Sequence, residues 1–188
     1  MKDAPLGISG ICENPFAETA GISPATLRQA FRNHPGGVAV ITADDGTGPV
    51  GLTATSVTSV SAEPPFVCFS LSSVSPTSQV IANADSVVIH LLGTDQLAIA
   101  KLFSTKGADR FGDVNSWARL PTGEPYLVNA PIWIRGQVVE RLRMKVGASV
   151  IIACHVLQVH NSANVGDAGL VYHDGAWHAL GAHSKLPA

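Results

Sequence analysis

Between residues 51 and 78 the chain reads GLTATSVTSVSAEPPFVCFSLSSVSPTS, dense in Ser and Thr hydroxyls, without Lys or Arg, and with Glu63 as its one acid. Hydroxyls and backbone N–H groups are neutral donors, able to hold carbonyl, ring-nitrogen or phosphate acceptors without a cation. Two clusters stand out. Thr53, Thr55 and Ser56 precede an expected strand at 57–61, and Ser70, Ser72, Ser73 and Ser75 close or follow a second at 66–71. The Ala62-Glu63-Pro64-Pro65 link suits a turn, and an antiparallel connection brings both clusters to one end of a sheet. Ser75 fits a helix N-cap, Pro76 the first helical position and Asn83 a stop. A helix begun there presents free N–H groups at its positive end, the usual arrangement for receiving a phosphate. Strands and caps use the same residue types for purely local reasons, so two readings of the clusters stand side by side.

The remaining elements must position this stretch. Ser23-Pro24 opens a helix through Asn33 with Leu27, Ala30 and Phe31 on one face, and His34-Pro35-Gly36-Gly37 stops it. A strand at 38–43 returns through 50–53 across a Gly-rich turn, which Gly48 and Gly51 are expected to serve. A buried strand follows at 86–91, then a helix from a Thr94 cap to Phe103. Residues 104–131 read as a long irregular segment of the kind that carries function. Long strands at 132–142 and 149–159 flank a connection at 143–147, and 170–173 with 177–180 form a hairpin across Asp174-Gly175. Strands outnumber helices, links are hairpin-short and no βαβ alternation occurs. A mainly β, antiparallel barrel with a few short helices is expected, not a doubly wound sheet.

At 188 residues the chain fits one domain, read as an arm over 1–22, a domain over 23–182 and a tail over 183–188. Charged residues make up only 14%, low for a globular chain, which suggests surface covered by a second copy. A net charge of -2 without a basic run disfavours nucleic acid and a polybasic membrane contact. Cys12, Cys68 and Cys154 form no CxxC pair, and Cys68 and Cys154 sit in apolar strand patterns as expected buried thiols. The histidines form no HExxH or HxH, so no metal site is expected. No signal-peptide pattern or long apolar stretch appears, and a cytoplasmic protein is expected.

Residues 51–61 with Pro64-Pro65 resemble the signature of the flavin reductase family, small flavin:NAD(P)H oxidoreductases built on an FMN-binding split barrel. The likeness extends to His34-Pro35-Gly36-Gly37-Val38-Ala39-Val40-Ile41-Thr42, Asp109-Arg110-Phe111, Gly123-Glu124-Pro125 and Val171-Tyr172-His173-Asp174-Gly175, in order, over roughly residues 25 to 180. It implies a Greek-key split β-barrel and hydride transfer from NADH or NADPH to FMN or FAD. It also implies a homodimer that supplies reduced flavin to a flavin-dependent monooxygenase. Flavin contacts carried over are Thr53, Ala54, Thr55 and Ser56 at the ring, Ser70, Leu71, Ser72 and Ser73 beside the ribityl chain, and Ser75 to Thr77 at the phosphate. Phe103, Lys106 and Phe111 lie in a further contact segment, where Lys106 and Arg110 are either phosphate-side charges or solvated loop residues. His173 matches a position on the nicotinamide side.

Hydride transfer needs positioning more than acid–base help, so the lack of a catalytic triad does not count against an enzyme. One departure is clear. Many relatives carry Gly-Asp-His where this chain has Gly147-Ala148-Ser149, and His155 lies about 20 Å further along the strand. That leaves the choice of nicotinamide open, and with it a flavin-binding carrier as the alternative. A pyridoxamine-phosphate-oxidase-like or haem-handling barrel is a third reading. The absence of an Arg- and Lys-lined phosphate site argues against the oxidase.

Overall fold

Ala39–Ala43 is buried along its whole length, and the two-residue alternation of a strand explains how. Ala39, Ile41 and Ala43 enter one core and Val40 a second, while Thr42 Oγ1 donates to the Pro125 carbonyl at 2.5 Å. A strand without a solvent face belongs inside a sheet. The structure, a computed structural model, describes residues 21–72, 74–144, 147–162 and 168–187. In chain order these form α1 (Pro24–Arg32), β1 (Gly36–Gly37), β2 (Ala39–Ala43), β3 (Val50–Ala54), β4 (Thr58–Ala62), β5 (Pro65–Ser72), α2 (Pro76–Asn83) and β6 (Ser86–Leu91). They continue with α3 (Leu97–Ser104), β7 (Trp117–Arg119), β8 (Pro125–Leu127), β9 (Ile132–Arg143), β10 (Ser149–Asn161), β11 (Gly169–His173) and β12 (Ala176–Leu180).

The main sheet has the order β3-β2-β6-β9-β10-β5-β4, with every pairing antiparallel. Its two edges, β3 and β4, are consecutive in the chain and joined only by residues 55–57. Seven strands laid flat would hold those edges about 29 Å apart, whereas the link can span only about 14 Å. The sheet therefore curls until its edges approach. The inward side holds Phe69, Leu71, Ile89, Val150 and Ile152 with Ile81 of α2; the second core gathers Val38, Leu92, Leu127 and Leu170 with Ala100 and Phe103 of α3. A small sheet, β1-β11-β12, lies beside α1. Its hairpin turn uses positive φ at Asp174 (47°) and Gly175 (79°), as a tight two-residue turn requires.

Most expected elements stand within a residue or two of their positions, with corrections at 104–131, Thr94 and Cys68. Residues 104–131 are not wholly irregular, because β7 and β8 pair as a short hairpin. Thr94 opens a 3₁₀ turn over Thr94–Gln96, and α3 begins only at Leu97. Cys68 is half-buried; Cys154 is fully buried, and desolvation pushes its thiol up to about 12. The apolar face of α1 is exposed, with Leu27 and Phe31 in contact with no core. Cys12 and most of the expected arm lie outside the described residues. No described helix is long and apolar enough to cross a membrane.

The positive φ angles of the Gly-rich turn belong to Gly46 and Gly48, while Gly51 sits within β3 for a packing reason. A Cβ there would lie 2.6 Å from Phe103 Cε1 and 3.1 Å from the Ile41 carbonyl oxygen. Phe103 is buried and has little room to yield. Gly51→Ala should therefore destabilise the protein by about 1–3 kcal/mol through overpacking. An unchanged urea midpoint would show that the strand and α3 can move apart.

Candidate functional site

The two hydroxyl clusters meet as their spacing requires. Ser56 Oγ accepts from Ser70 N–H at 3.1 Å and donates to the Ser70 carbonyl at 3.2 Å. That hydroxyl pins the link after β3 to β5 and is committed to the fold. So is Thr53, whose Oγ1 donates to the Ala100 carbonyl of α3 at 2.7 Å. By contrast, the hydroxyls of Thr55, Ser70, Ser72, Ser75 and Thr77 make no hydrogen bond among the described residues, and Ser75 caps α2 by position without a side-chain bond. Those five hydroxyls are available to a ligand. Ser73 lies outside the described residues.

Two cavities frame this row. The larger, about 1240 Å³, is bordered by Thr55, Ser56 and Ser70 on one side, and by α1, His34 and the His173–Gly175 turn on the other. The smaller, about 230 Å³, is bordered by Val50, Gly51, Thr77, Asp109, Arg110 and Phe111. Strand β3 runs from the small cavity at Gly51 to the large one at Thr55, about 13 Å by strand rise. The sequence Ser70, Ser72, Ser75, Thr77 makes the same journey along β5 and into α2.

Of the residues singled out from the sequence, Thr55, Ser56, Ser70 and His173 come together at the large cavity, and Thr77 and Phe111 at the small one. Leu71 and Ala54 are buried, and their side chains belong to the core. Phe103 is also a core residue, only 2% exposed and edge-on to Phe111 at 5.5 Å. Lys106 is exposed and borders neither cavity. Ser149, at the position of the departure, pairs with Ser72 across β10 and β5, while His155 pairs with Phe66 at the far end. Among the described residues no cluster of His, Cys, Asp or Glu could hold a metal.

Charge enters at two points that the hydroxyl pattern did not reveal. Arg110 is not a solvated loop residue: Nε donates to the Phe103 carbonyl at 3.2 Å and Nη2 to that of Thr105 at 2.7 Å, closing the C-terminal end of α3. Arg110 borders the small cavity together with Thr77 of the first turn of α2. At the large cavity Arg32 Nε donates to Asp174 Oδ1 at 2.9 Å, and that guanidinium holds the exposed Asp174 carboxyl below its ordinary pKa. Gly36 permits the close approach of this wall to the floor, since a Cβ there would stand 2.8 Å from Thr55 Cβ.

Residues 31–181 match the flavin reductase like domain family. The chain is 39% identical over 187 residues to an NADH:FMN oxidoreductase of Rhodococcus qingshengii, covering 95% of this chain and 96% of that protein. An NADH:riboflavin 5'-phosphate oxidoreductase of Streptomyces pristinaespiralis is 36% identical over 65% of this chain and 70% of its own. Among solved structures, a flavin reductase domain protein of Arthrobacter sp. FB24 superposes with a TM-score of 0.77 at 30% identity, covering 87% of this chain and 96% of that one. The family match runs from the end of α1 through β12, across the small cavity, the hydroxyl row and all of the large cavity's lining but Ala25, Arg28 and Gln29, and the chain belongs to the flavin reductase like domain family.

Proposed function

We propose that the protein is a flavin reductase, an oxidoreductase that passes a hydride from NADH or NADPH to FMN or FAD. The observation that carries this is the row of uncommitted hydroxyls, Ser70, Ser72, Ser75 and Thr77, leading from a cavity of about 1240 Å³ to a smaller one that pairs a helix N-terminus with a guanidinium. A phosphorylated flavin fits that order of donors. Thr77 and Arg110 would hold the phosphate, Ser72 and Ser75 would flank the ribityl chain, and Thr55 with the backbone after β3 would meet the edge of the ring. When bound, the flavin supplies the hydride-accepting centre. The protein's contribution is to hold that ring against the large cavity, where His173 and the wall of α1 position the nicotinamide.

The curled sheet is read as the Greek-key split barrel of this family, with residues 23–182 as the functional unit and 1–22 and 183–188 as its flanks. We place it in the cytoplasm as a homodimer. Exposed Leu27 and Phe31 on α1, and Val139, Leu142 and Ile151 on β9 and β10, support covering by a second copy. Its product, reduced flavin, would serve a flavin-dependent monooxygenase. Curated relatives include the reductase component of a trigonelline monooxygenase from Acinetobacter baylyi, 32% identical over 80% of this chain but 47% of that protein.

Steady-state turnover with NADH or NADPH against FMN or FAD tests the reading. At least one combination should bleach the visible flavin band with saturation in both substrates. Tight flavin binding without reduction by either nicotinamide would instead make the protein a carrier.

A further inference from the structure

One stripe of α1, formed by Ala25, Arg28, Gln29 and Arg32 at helical spacing, borders the large cavity. Arg32 is matched by a carboxylate. Its guanidinium pairs with Asp174 at 2.9 Å, and its carbonyl accepts from Asp174 N–H at 2.9 Å. This double tie fixes the end of the helix against the β11–β12 turn. Arg28, one turn earlier on the same stripe, has neither an ion pair nor a hydrogen bond among the described residues. The other titratable groups around the cavity are His34, Tyr172, His173 and Asp174, and the one carboxylate is already matched by Arg32. The positive charge of Arg28 therefore stands uncompensated on the wall of a cavity whose floor is neutral hydroxyl.

We propose that Arg28 receives the pyrophosphate of the nicotinamide dinucleotide, the anionic group common to NADH and NADPH. The inference rests on the flavin reductase reading above. A guanidinium can meet two phosphate oxygens at once. Both dinucleotides carry this group, so the contact does not distinguish NADH from NADPH. The floor at Thr55 and Ser70 leaves room beneath this anchor for the neutral part of the dinucleotide.

The test compares wild type, Arg28→Ala and Arg28→Lys by steady-state kinetics and by calorimetric titration with NAD⁺. In Arg28→Ala, KM for NADH and for NADPH should rise alike, by about tenfold, and Kd for NAD⁺ should follow. The KM for flavin, kcat and the melting temperature should stay unchanged, because Arg28 is exposed and makes no internal contact. Arg28→Lys should recover part of the loss, and the alanine variant should lose salt dependence in dinucleotide binding. Unchanged KM and Kd in an active Arg28→Ala enzyme would overturn the inference alone, as would a rise confined to NADPH. Wild-type protein that neither binds nor oxidises a dinucleotide would overturn the functional reading, and this assignment with it.

Discussion

Glu124→Ala should be among the most damaging single substitutions in the chain, costing about 3–5 kcal/mol, the usual range when one partner of a buried ion pair is removed. Glu124 is 5% exposed. Its Oε1 accepts from Arg135 Nε at 2.7 Å and from Ser86 Oγ at 2.5 Å, and Thr122 donates to Oε2. These bonds tie the β7–β8 hairpin to β9 and β6. The alanine variant would strand the largely buried Arg135 guanidinium and release the hairpin, which also carries the Leu127 N–H that donates to His90 Nε2 at 3.0 Å. Urea unfolding measures the loss; a change within about 0.5 kcal/mol would mean that Arg135 finds water or another acceptor. The same carboxylate sets a pH dependence. Burial works against its charge, but the donors from Ser86, Thr122 and Arg135 outweigh burial and hold its pKa below the ordinary value. Its stabilisation is therefore complete above the unfolded-state value of about 4.3 and is lost as pH falls through the lower folded value. Glu124→Gln should flatten that acid limb.

What could be read in advance followed from local chemistry. Ser75-Pro76 and Asn83 bracket α2 because an N-cap, a proline without an N–H and a helix stop act within a turn of their own positions. The Asp174-Gly175 turn was legible for the same reason. Other features depend on residues distant in sequence. Gly36–Gly37 counts as a strand only because β11 lies alongside, and no two-glycine segment signals that. The β7–β8 hairpin consists of two three-residue strands, too short for a period, held by Glu124, Thr42 and His90. His90, buried and pushed down to about 4 by desolvation, is a neutral strut between Val40 and Leu127. At the site the hydroxyl pattern located donors but could not tell the committed Ser56 and Thr53 from the uncommitted Thr55 and Thr77. It also missed the cations. Arg110 and Arg28 lie far from the Ser/Thr run in sequence, and only the closing of α3 and the seating of α1 bring them to the cavities.

Arg110→Glu should weaken FMN binding by about 100-fold while leaving riboflavin within about twofold. Arg110 shares the small cavity with Thr77 at the open end of α2. Two of its guanidinium nitrogens are held by the Phe103 and Thr105 carbonyls, which leaves Nη1 for a ligand. Asp109 borders the same cavity, so without Arg110 a phosphate would meet a carboxylate with only the Thr77 hydroxyl and the helix dipole to hold it. A hydrogen bond to a charged group contributes about 1.5–3 kcal/mol, and about 1.4 kcal/mol is tenfold in affinity. Reversing the charge adds repulsion to that loss. Riboflavin lacks the phosphate and so separates this effect from any general loosening of the site. The substitution also removes two donors from the C-terminal end of α3, so Arg110→Gln, which retains an amide donor without the charge, is the necessary companion. It should melt close to wild type and still lose most of the preference for FMN over riboflavin. Should both flavins weaken in equal proportion in either variant, the phosphate does not sit between Thr77 and Arg110, and the order of donors from large cavity to small would have to be reversed.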